Sequence, residues 1–338
     1  MTNPAKRILI LGPSWVGDMV MAHTLFQLLK QRNPGVRLEV MAPAWSRALL
    51  DRMPEVDEAL LMPLGHGQLA LKQRYQLGKA LRSKGYDQAI VLPNSFKSAL
   101  IPFFANIPQR TGWWGECRLG VLNDYRKLDK TAYPLMVQRY AALAFPCKEI
   151  QPAALPWPYL HVEPTQVSET QTTLGLKLDK PILALCPGAE FGPSKQWPAH
   201  HYAQLAKLKL KEGWQVWLLG SVKDHIQTQL IQEETQFACI DLAGKTSLAQ
   251  AIDVLSLANK VVSNDSGLMH IVAALKRPLV AVYGSTDPRF TPPLSEQVRI
   301  VSLNLACSPC FKRVCPLSHH HCMQQLIPER VNRAMDEL

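Results

Sequence analysis

The sequence has no uninterrupted apolar run near the roughly 18 residues that a membrane-spanning helix needs, and no low-complexity tract. Its first residues, MTNPAKRILILGPSW, include an apolar stretch too short for a secretory signal and no small-residue cleavage site. Hydrophobic residues make up 47% of the 338 positions, which is enough for the cores of two ordinary domains. We therefore expect a folded, soluble, cytosolic protein.

Runs of five or more basic residues are also absent, although 37 Lys and Arg against 27 Asp and Glu give a formal charge of +10. Scattered basic residues do not indicate a disordered tail that binds nucleic acid. A basic surface still attracts anions. The charge therefore favours phosphorylated small molecules or an anionic membrane surface as partners.

Two nucleotide-binding signatures are missing as well. There is no GxGxxG fingerprint and no Asp-x-Asp pair of the kind used by metal-dependent sugar-nucleotide enzymes. The first of these absences argues against a dinucleotide-dependent oxidoreductase. Yet LILGPSWVGDMVMAHTLFQLLK (9–30) has the strand–loop–helix pattern of a phosphate-binding unit, with the acid Asp18 at the end of its loop.

Strand and helix patterns alternate along two halves of the chain. Five β-rich runs are predicted in each half, at 6–12, 37–43, 58–63, 88–94 and 110–114, then at 181–188, 215–221, 237–244, 260–267 and 278–285. Such alternation predicts an α/β fold with two Rossmann-like domains built on parallel sheets. We expect an N-terminal domain over 1–150, a Pro-rich linker and lead-in over 151–178, and a second domain over 179–326. A C-terminal helix over 327–338 follows, and packing back on the first domain is one alternative for it.

Polar residues cluster where the predicted strands end, and ligands in open α/β sheets bind at the carboxyl ends of strands. In VSNDSGLMH, Ser266 is a predicted N-cap and Gly267 permits close backbone approach. A helix N-terminus offers free N–H groups and partial positive charge, which suit a diphosphate. The other strand-end residues are Ser14, Trp15, Gly17, Asn94, Ser95, Lys97, Gly188, Glu190, Ser194, Lys195, Asn264, Asp265 and His270.

The chain resembles the ADP-heptose-dependent lipopolysaccharide heptosyltransferases over essentially its whole length. The stretches that carry the resemblance are GPSWVGDMVM (12–21), MAPAWSRALLDRMPEVDE (41–58), MPLGHG (62–67), VLPNSFKSALIPFFA (91–105), RTGW (110–113), CPGAEFGPSKQWP (186–198) and NDSGLMHIVAAL (264–275). The resemblance implies a GT-B architecture, in which two Rossmann-like domains face each other across a cleft. The N-terminal domain would hold the acceptor and the C-terminal domain the sugar nucleotide.

The resemblance also implies roles for individual residues. Asp18 matches the base that takes the proton of the acceptor hydroxyl in an inverting transfer, and capping of its own helix is the alternative. Lys195 matches the lysine that neutralises the donor diphosphate. Donor contacts are implied for Gly188, Glu190, Ser194, Gly220, Asp224, Gly244, Asp265, Ser266, Gly267, Leu268 and His270. Acceptor contacts are expected for Ser14, Trp15, Gly17, Asn94, Ser95, Lys97 and Arg110.

The activity implied is transfer of L-glycero-D-manno-heptose from ADP-heptose to the first heptose of the lipopolysaccharide inner core, at the inner face of the inner membrane. No metal or other cofactor is expected to be required, and no nucleic acid is expected as a partner. The wording of PSWVGD and NSFKSAL favours this acceptor, that of the type II enzymes. The alternatives are a type I or type III acceptor, or a sugar-nucleotide-binding protein without turnover.

A cysteine-rich segment, CSPCFKRVCPLSHHHCM, remains outside this scheme. Its spacing, C-x2-C-x4-C-x6-C, is compatible with a tetrahedral zinc site formed by Cys307, Cys310, Cys315 and Cys322. The alternative is a set of free thiols, because disulfides are rare in the cytosol.

Overall fold

The structure is a computed structural model that describes residues 5–65, 67–147, 149, 152 and 154–338. It divides into two compact units, Met1–Pro158 and Tyr159–Leu338. Four residues of the Pro-rich segment (148, 150, 151 and 153) and residue 66 of the motif MPLGHG lie outside the described residues.

The first unit contains a six-stranded parallel sheet in the order β3-β2-β1-β4-β5-β6. Its elements are β1 Arg7–Leu11, α1 Val16–Arg32, β2 Arg37–Ala42, α2 Arg47–Leu50, β3 Glu58–Leu61, α3 Leu71–Leu81, β4 Gln88–Val91, α4 Phe96–Phe104, β5 Gln109–Trp113, β6 Asp124–Arg126 and α5 Met136–Ala141. The central strand β1 pairs with β2 from Arg7↔Arg37 and with β4 from Ile8↔Gln88. β1 and β4 are buried apart from Arg7, as expected for parallel strands covered on both faces.

The second unit repeats this architecture, with the strand order β12-β11-β10-β7-β8-β9. Its elements are α6 Pro164–Thr173, β7 Ile182–Cys186, α7 Ala199–Lys211, β8 Gln215–Leu218, α8 His225–Glu234, β9 Ile240–Asp241, α9 Leu248–Leu257, β10 Lys260–Asn264, α10 Gly267–Ala274, β11 Leu279–Val282, β12 Val298–Val301, α11 His321–Gln324 and α12 Pro328–Asp336. All five strand pairings are parallel.

Both sheets therefore have the same order when each is counted from its own first strand, namely 3-2-1-4-5-6. This is the Rossmann order, and it reverses direction between the first and fourth strands. The prediction of an α/β protein with two Rossmann-like domains is confirmed. The reversal falls between β1 and β4 in the first unit, and between β7 and β10 in the second.

Each sheet has one strand more than the sequence patterns predict. β6 has the sequence DYR and β12 the sequence VRIV. Both lie at a sheet edge, are only three or four residues long and contain charged side chains. Short, charged edge strands lack the apolar run by which a buried strand is recognised.

Two segments at the domain ends are fixed by contacts within their own units. The end of the Pro-rich segment is fixed to α1, where Thr24 Oγ1 donates to the Pro156 carbonyl at 2.7 Å and Gln27 Nε2 to that of Trp157 at 3.0 Å. The C-terminal helix α12 packs on α7, β11 and β12, with Val331 and Met335 fully buried in the core of the second unit.

None of the helices among the described residues is long and apolar enough to span a membrane.

Candidate active site

The first unit has a large cavity at the carboxyl ends of β1 and β4, where the strand order reverses. Its volume is about 970 Å³. Five of the seven residues predicted to contact the acceptor line it, namely Ser14, Trp15, Asn94, Ser95 and Lys97. Gly17 and Arg110 are not among its lining residues. The Arg110 guanidinium donates instead to the Val121 and Ile107 carbonyls, at 2.7 and 2.6 Å.

Three further residues that line this cavity were not found by the sequence analysis: Trp45, Arg74 and Glu116. Trp45 lies in the turn after β2, and Arg74 lies on α3, so neither follows a strand at the reversal point. Arg74 is buried, and its guanidinium donates to the Leu69 and Gln68 carbonyls. Glu116 accepts from the Phe96 N–H at 2.8 Å and so caps α4. The predicted acceptor residues follow mainly β1 and β4, whereas these three lie after β2, on α3 and after β5.

A buried arginine holds the loop after β4 in place. Arg118 is fully buried and donates to the Pro93 carbonyl at 2.7 Å, to Asn94 Oδ1 at 3.3 Å and to the Trp113 carbonyl. Burial lowers the pKa of its guanidinium to about 10. Arg118 therefore positions Asn94, which faces the cavity, although nothing in its sequence context indicates this role.

Asp18 is the third residue of α1, and its side chain is partly exposed. The N-cap residue of α1 is Trp15, so Asp18 is not the cap of the helix on which it lies. The Tyr140 hydroxyl forms a hydrogen bond with the Asp18 carboxylate, and burial together with the Asp18 charge raises the Tyr140 pKa well above its ordinary value. Tyr140 comes from α5, which packs on α1. The acid thus has a dedicated partner that no sequence motif singles out.

In the second unit, Lys195 forms an ion pair at the end of β10. Its Nζ lies 2.5 Å from Asp265 Oδ2, and both side chains are largely buried. The Thr286 hydroxyl, from the loop after β11, donates to the same oxygen at 2.5 Å. The structure therefore brings together Lys195 and Asp265, two residues predicted for the donor site, as an ion pair. Thr286 was not predicted.

The N-terminus of α10, in the same unit, carries no side-chain cap. Ser266 occupies the N-cap position, but its side chain accepts no hydrogen bond from the helix. By contrast, α9 is closed by a full capping box between Ser247 and Gln250. Within the described chain, no hydrogen bond engages the N–H groups of Gly267 and Leu268. Ser266 therefore occupies the predicted N-cap position without making a capping bond, and these donors are left available to an anion.

His270 lies on the first turns of α10 and is buried. Burial lowers the pKa of its imidazole to about 4, and the positive charge of Lys195 contributes in the same direction. The ring is therefore neutral at neutral pH. A neutral imidazole keeps one N–H donor and adds no charge to compete with Lys195.

The remaining predicted donor residues surround a second turn of the same unit. A Cβ on Gly188 would lie 2.5 Å from the Asp224 carboxyl group, and one on Gly220 would lie 2.9 Å from Asp224 Cβ. Asp224 Oδ2 accepts from both Ser221 N and Ser221 Oγ, at 2.7 and 2.8 Å. The Gly244 N–H donates to the Gly220 carbonyl at 3.0 Å. These residues surround the short 3-10 turn Val222–Asp224, whose capping box is formed by Ser221 and Asp224.

Two other predicted donor residues make contacts outside this turn. Glu190 pairs with the exposed Lys223 at 2.5 Å. Ser194 is buried, and its Oγ donates to the Lys312 carbonyl at 2.5 Å and lies 2.9 Å from Ser285 Oγ. Ser194 therefore anchors the turn that carries Lys195.

The cysteine-rich segment folds around a cavity of about 20 Å³ that Cys307, Cys310, Cys315 and Cys322 line together. Among the described residues, however, no three His, Cys, Asp or Glu side chains form a group that could hold a metal ion. Burial and the three neighbouring cysteines together raise the pKa of Cys322 to about 11. The structure records all four cysteines without a disulfide, and the zinc site stays a prediction.

Comparison with known proteins identifies a family and several relatives of this chain. The model of glycosyltransferase family 9 (heptosyltransferase) matches residues 74–321. A Salmonella typhimurium protein named lipopolysaccharide heptosyltransferase 2 is 50% identical, and the match covers 98% of each chain. Lipooligosaccharide heptosyltransferase 2 of Haemophilus ducreyi is 49% identical, with 98% of this chain and 99% of that protein covered.

A solved structure agrees as well. The E. coli ADP-heptose lps heptosyltransferase II matches with a TM-score of 0.88 and 47% identity, over 98% of both chains. A family model that spans well over half of the chain and relatives near 50% identity along its whole length lead to one conclusion: the chain belongs to glycosyltransferase family 9, the heptosyltransferases.

Proposed function

We propose that this enzyme transfers L-glycero-D-manno-heptose from ADP-heptose to the first heptose of the lipopolysaccharide inner core, with inversion at the anomeric carbon. Full-length similarity to proteins named heptosyltransferase 2 supports this donor and acceptor. The observation that carries the chemistry is the uncapped N-terminus of α10, in the unit whose Lys195 is held by Asp265. A growing negative charge on a leaving diphosphate is what such a site stabilises.

In the proposed reaction, Asp18 takes the proton from the acceptor hydroxyl while that oxygen bonds to the anomeric carbon of the donor. The bond between the anomeric carbon and the phosphate oxygen breaks, and ADP leaves with the electron pair. Tyr140 holds the Asp18 carboxylate in place through its hydroxyl. Lys195 and the N–H groups of Gly267 and Leu268 stabilise the charge on ADP. In this scheme no cofactor takes part.

The remaining predicted residues have supporting roles. The cavity of the first unit holds the acceptor sugar, with Lys97 near its acidic groups and Trp15 against an apolar face of the ring. The adenosine is received by the loops that carry Gly188, Gly220, Asp224 and Gly244. Since its acceptor is a lipid-linked sugar, the enzyme works at the cytoplasmic face of the inner membrane.

The experiment is to measure ADP release from ADP-heptose with purified monoheptosylated core acceptor, for the wild type and Asp18→Ala. Turnover in the wild type that falls about 10²-fold or more in the variant is the expected result, because a general base is lost. Turnover only with an unheptosylated or a diheptosylated acceptor would contradict the acceptor assignment. Binding of ADP-heptose without turnover on any acceptor would contradict transfer itself.

A further inference from the structure

One surface of the first unit has an unusual charge composition. Between Glu58 and Glu116 the sequence contains a single acid, Asp87, against seven basic residues: Lys72, Arg74, Lys79, Arg82, Lys84, Lys97 and Arg110. Asp87 precedes β4 and accepts from the Arg7 N–H at 2.7 Å, so it lies at the amino ends of the strands. The cavity opens at the opposite, carboxyl ends. Apart from Glu116, which caps α4, the cavity side of this segment thus carries basic residues and no acid.

The basic residues of this segment are not all engaged in the same way. Lys84 is paired with Glu39 and Glu58, and Arg74 is buried. Lys72 and Lys79, by contrast, are exposed on α3, and neither forms an ion pair within the described part of the chain. Their charges are available to an external anion.

Apolar side chains are exposed on the same stripe of α3. Leu71, Lys72, Tyr75 and Lys79 lie within about 100° of arc around the helix, since consecutive residues are 100° apart. Leu71 is 52% exposed and Tyr75 45% exposed. The adjoining side of α3, which includes Arg74, Gly78 and Leu81, is buried against the unit. The helix is therefore amphipathic in an uncommon sense, because its outer stripe mixes cations with large apolar groups.

This stripe continues onto α4 through aromatic contacts. The rings of Tyr75 and Phe104 lie 5.3 Å apart edge to face, and those of Phe103 and Phe104 lie 5.6 Å apart. Phe103 is 39% exposed. The two helices are locked together, since a Cβ on Gly78 would lie 2.6 Å from Phe104 Cβ. We call Leu71, Lys72, Tyr75, Lys79, Arg82 and Phe103 the basic aromatic face.

We infer that the basic aromatic face docks on an anionic phospholipid membrane. Exposed aromatic and leucine side chains combined with lysines and arginine, without acids, suit the boundary between headgroups and acyl chains. The face also adjoins the acceptor cavity, because Arg74 of α3 and the 55% exposed Leu69 line that cavity. Docking there would hold the cavity beside a lipid-linked sugar, a point that rests on the proposed function.

The test measures binding of the full chain to phosphatidylcholine vesicles with and without phosphatidylglycerol, in the absence of acceptor. We expect binding that requires phosphatidylglycerol and weakens with added salt. Lys72→Gln/Lys79→Gln should weaken the partition coefficient about 25-fold, from about 5-fold per lysine. Lys177→Gln/Lys180→Gln, which removes two exposed lysines of the second unit, is the matched control and should bind as the wild type does.

Three results would overturn the inference: no binding to phosphatidylglycerol vesicles, equal binding with and without that lipid, or equal losses in the two double variants. Self-association that the Lys72→Gln/Lys79→Gln change abolishes, without vesicle binding, would also overturn it in favour of a second copy of the chain. Turnover on a deacylated, water-soluble acceptor is measured in parallel. Failure of that reaction in a wild type that binds vesicles would contradict the proposed function and leave the docking inference standing.

Discussion

The two units of this enzyme have the same strand order but opposite chemistry at the point where that order reverses. In the first unit, the helix after the first strand carries a carboxylate, Asp18, near its N-terminus. In the second unit, the helix after the fourth strand leaves its N–H groups uncapped, and a lysine is held nearby by Asp265. Under the proposed reaction, the Rossmann order fixes where a ligand binds, whereas a few residues at helix N-termini and in neighbouring loops decide whether the site removes a proton or receives negative charge.

The largest effect is expected from removing the acid of the first unit. Asp18→Asn keeps the shape of the side chain but removes the base, so we expect kcat to fall about 10²- to 10⁴-fold. Steady-state ADP release with the heptosylated acceptor measures it. An Asp18→Asn variant with the kcat of the wild type would mean that the two units do not differ in the way described.

A large effect on stability is expected from the neutral imidazole of the second unit. Burial lowers the His270 pKa to about 4, below the unfolded value of about 6.5, so its neutral form is favoured in the folded state. This stabilisation is present above pH 6.5 and is lost as the pH falls towards 4. It amounts to about 3 kcal/mol at full extent.

Urea unfolding of the wild type and His270→Gln between pH 7 and pH 4 tests this expectation. The free energy of unfolding should depend less steeply on pH in the variant. His225→Gln, at an exposed position outside the ion pairs recorded among the described residues, is the control and should follow the wild type. Parallel curves for wild type and His270→Gln would contradict the assignment of a neutral His270.

Loss of the lysine in the second unit should affect the donor rather than the acceptor. Lys195→Gln removes the charged hydrogen bond that we propose for the diphosphate, so we expect about 10- to 100-fold weaker binding of ADP. The acceptor KM should stay within about 2-fold of the wild-type value, because uninvolved substitutions have small effects. A variant that raises the acceptor KM as much as it weakens ADP binding would remove the distinction between the units.

A smaller effect is expected from the residue that holds Asp18. Tyr140→Phe deletes only the hydroxyl that bonds to the carboxylate, and we expect kcat to fall about 10-fold, equivalent to one hydrogen bond to a charged group. Both KM values should be unchanged, since Tyr140 positions the base and is itself buried. A change in KM for the donor with kcat intact would contradict that role.

The smallest effect concerns the two serines at helix N-termini in the second unit. Ser247 caps α9, so Ser247→Ala should lower the free energy of unfolding by about 1 kcal/mol. Ser266 occupies the same position on α10 without a capping bond, so Ser266→Ala should cost less than half as much. Urea unfolding compares them. Equal losses would mean that the α10 N-terminus is capped and unavailable to an anion.

Much of the fold could be predicted from the sequence, because buried parallel strands have continuous apolar runs and the helices between them are amphipathic. The ten strong strands were found, and β6 and β12 were missed since each is a short edge strand with charged residues. The helix α6 was also not predicted, because its sequence PTQVSETQTT is polar and its burial is limited to Thr170.

The site was predictable only where residues follow a strand in sequence. Lys195 and Asp265 are 70 positions apart, and their motifs still identified both. Tyr140, Arg118 and Thr286 reach the site from other elements through buried hydrogen bonds, and no local pattern marks them. The zinc site stays a prediction, because cysteine spacing does not reveal whether the four thiols bind a metal.

The most direct test of the division between the units is calorimetric titration of ADP into Asp18→Asn and Lys195→Gln. The account predicts an affinity for ADP in Asp18→Asn within about 2-fold of the wild type, and an affinity about 10- to 100-fold weaker in Lys195→Gln. Similar losses of affinity in both variants would contradict it, since the acid of the first unit would then contribute to the donor site as much as the lysine of the second.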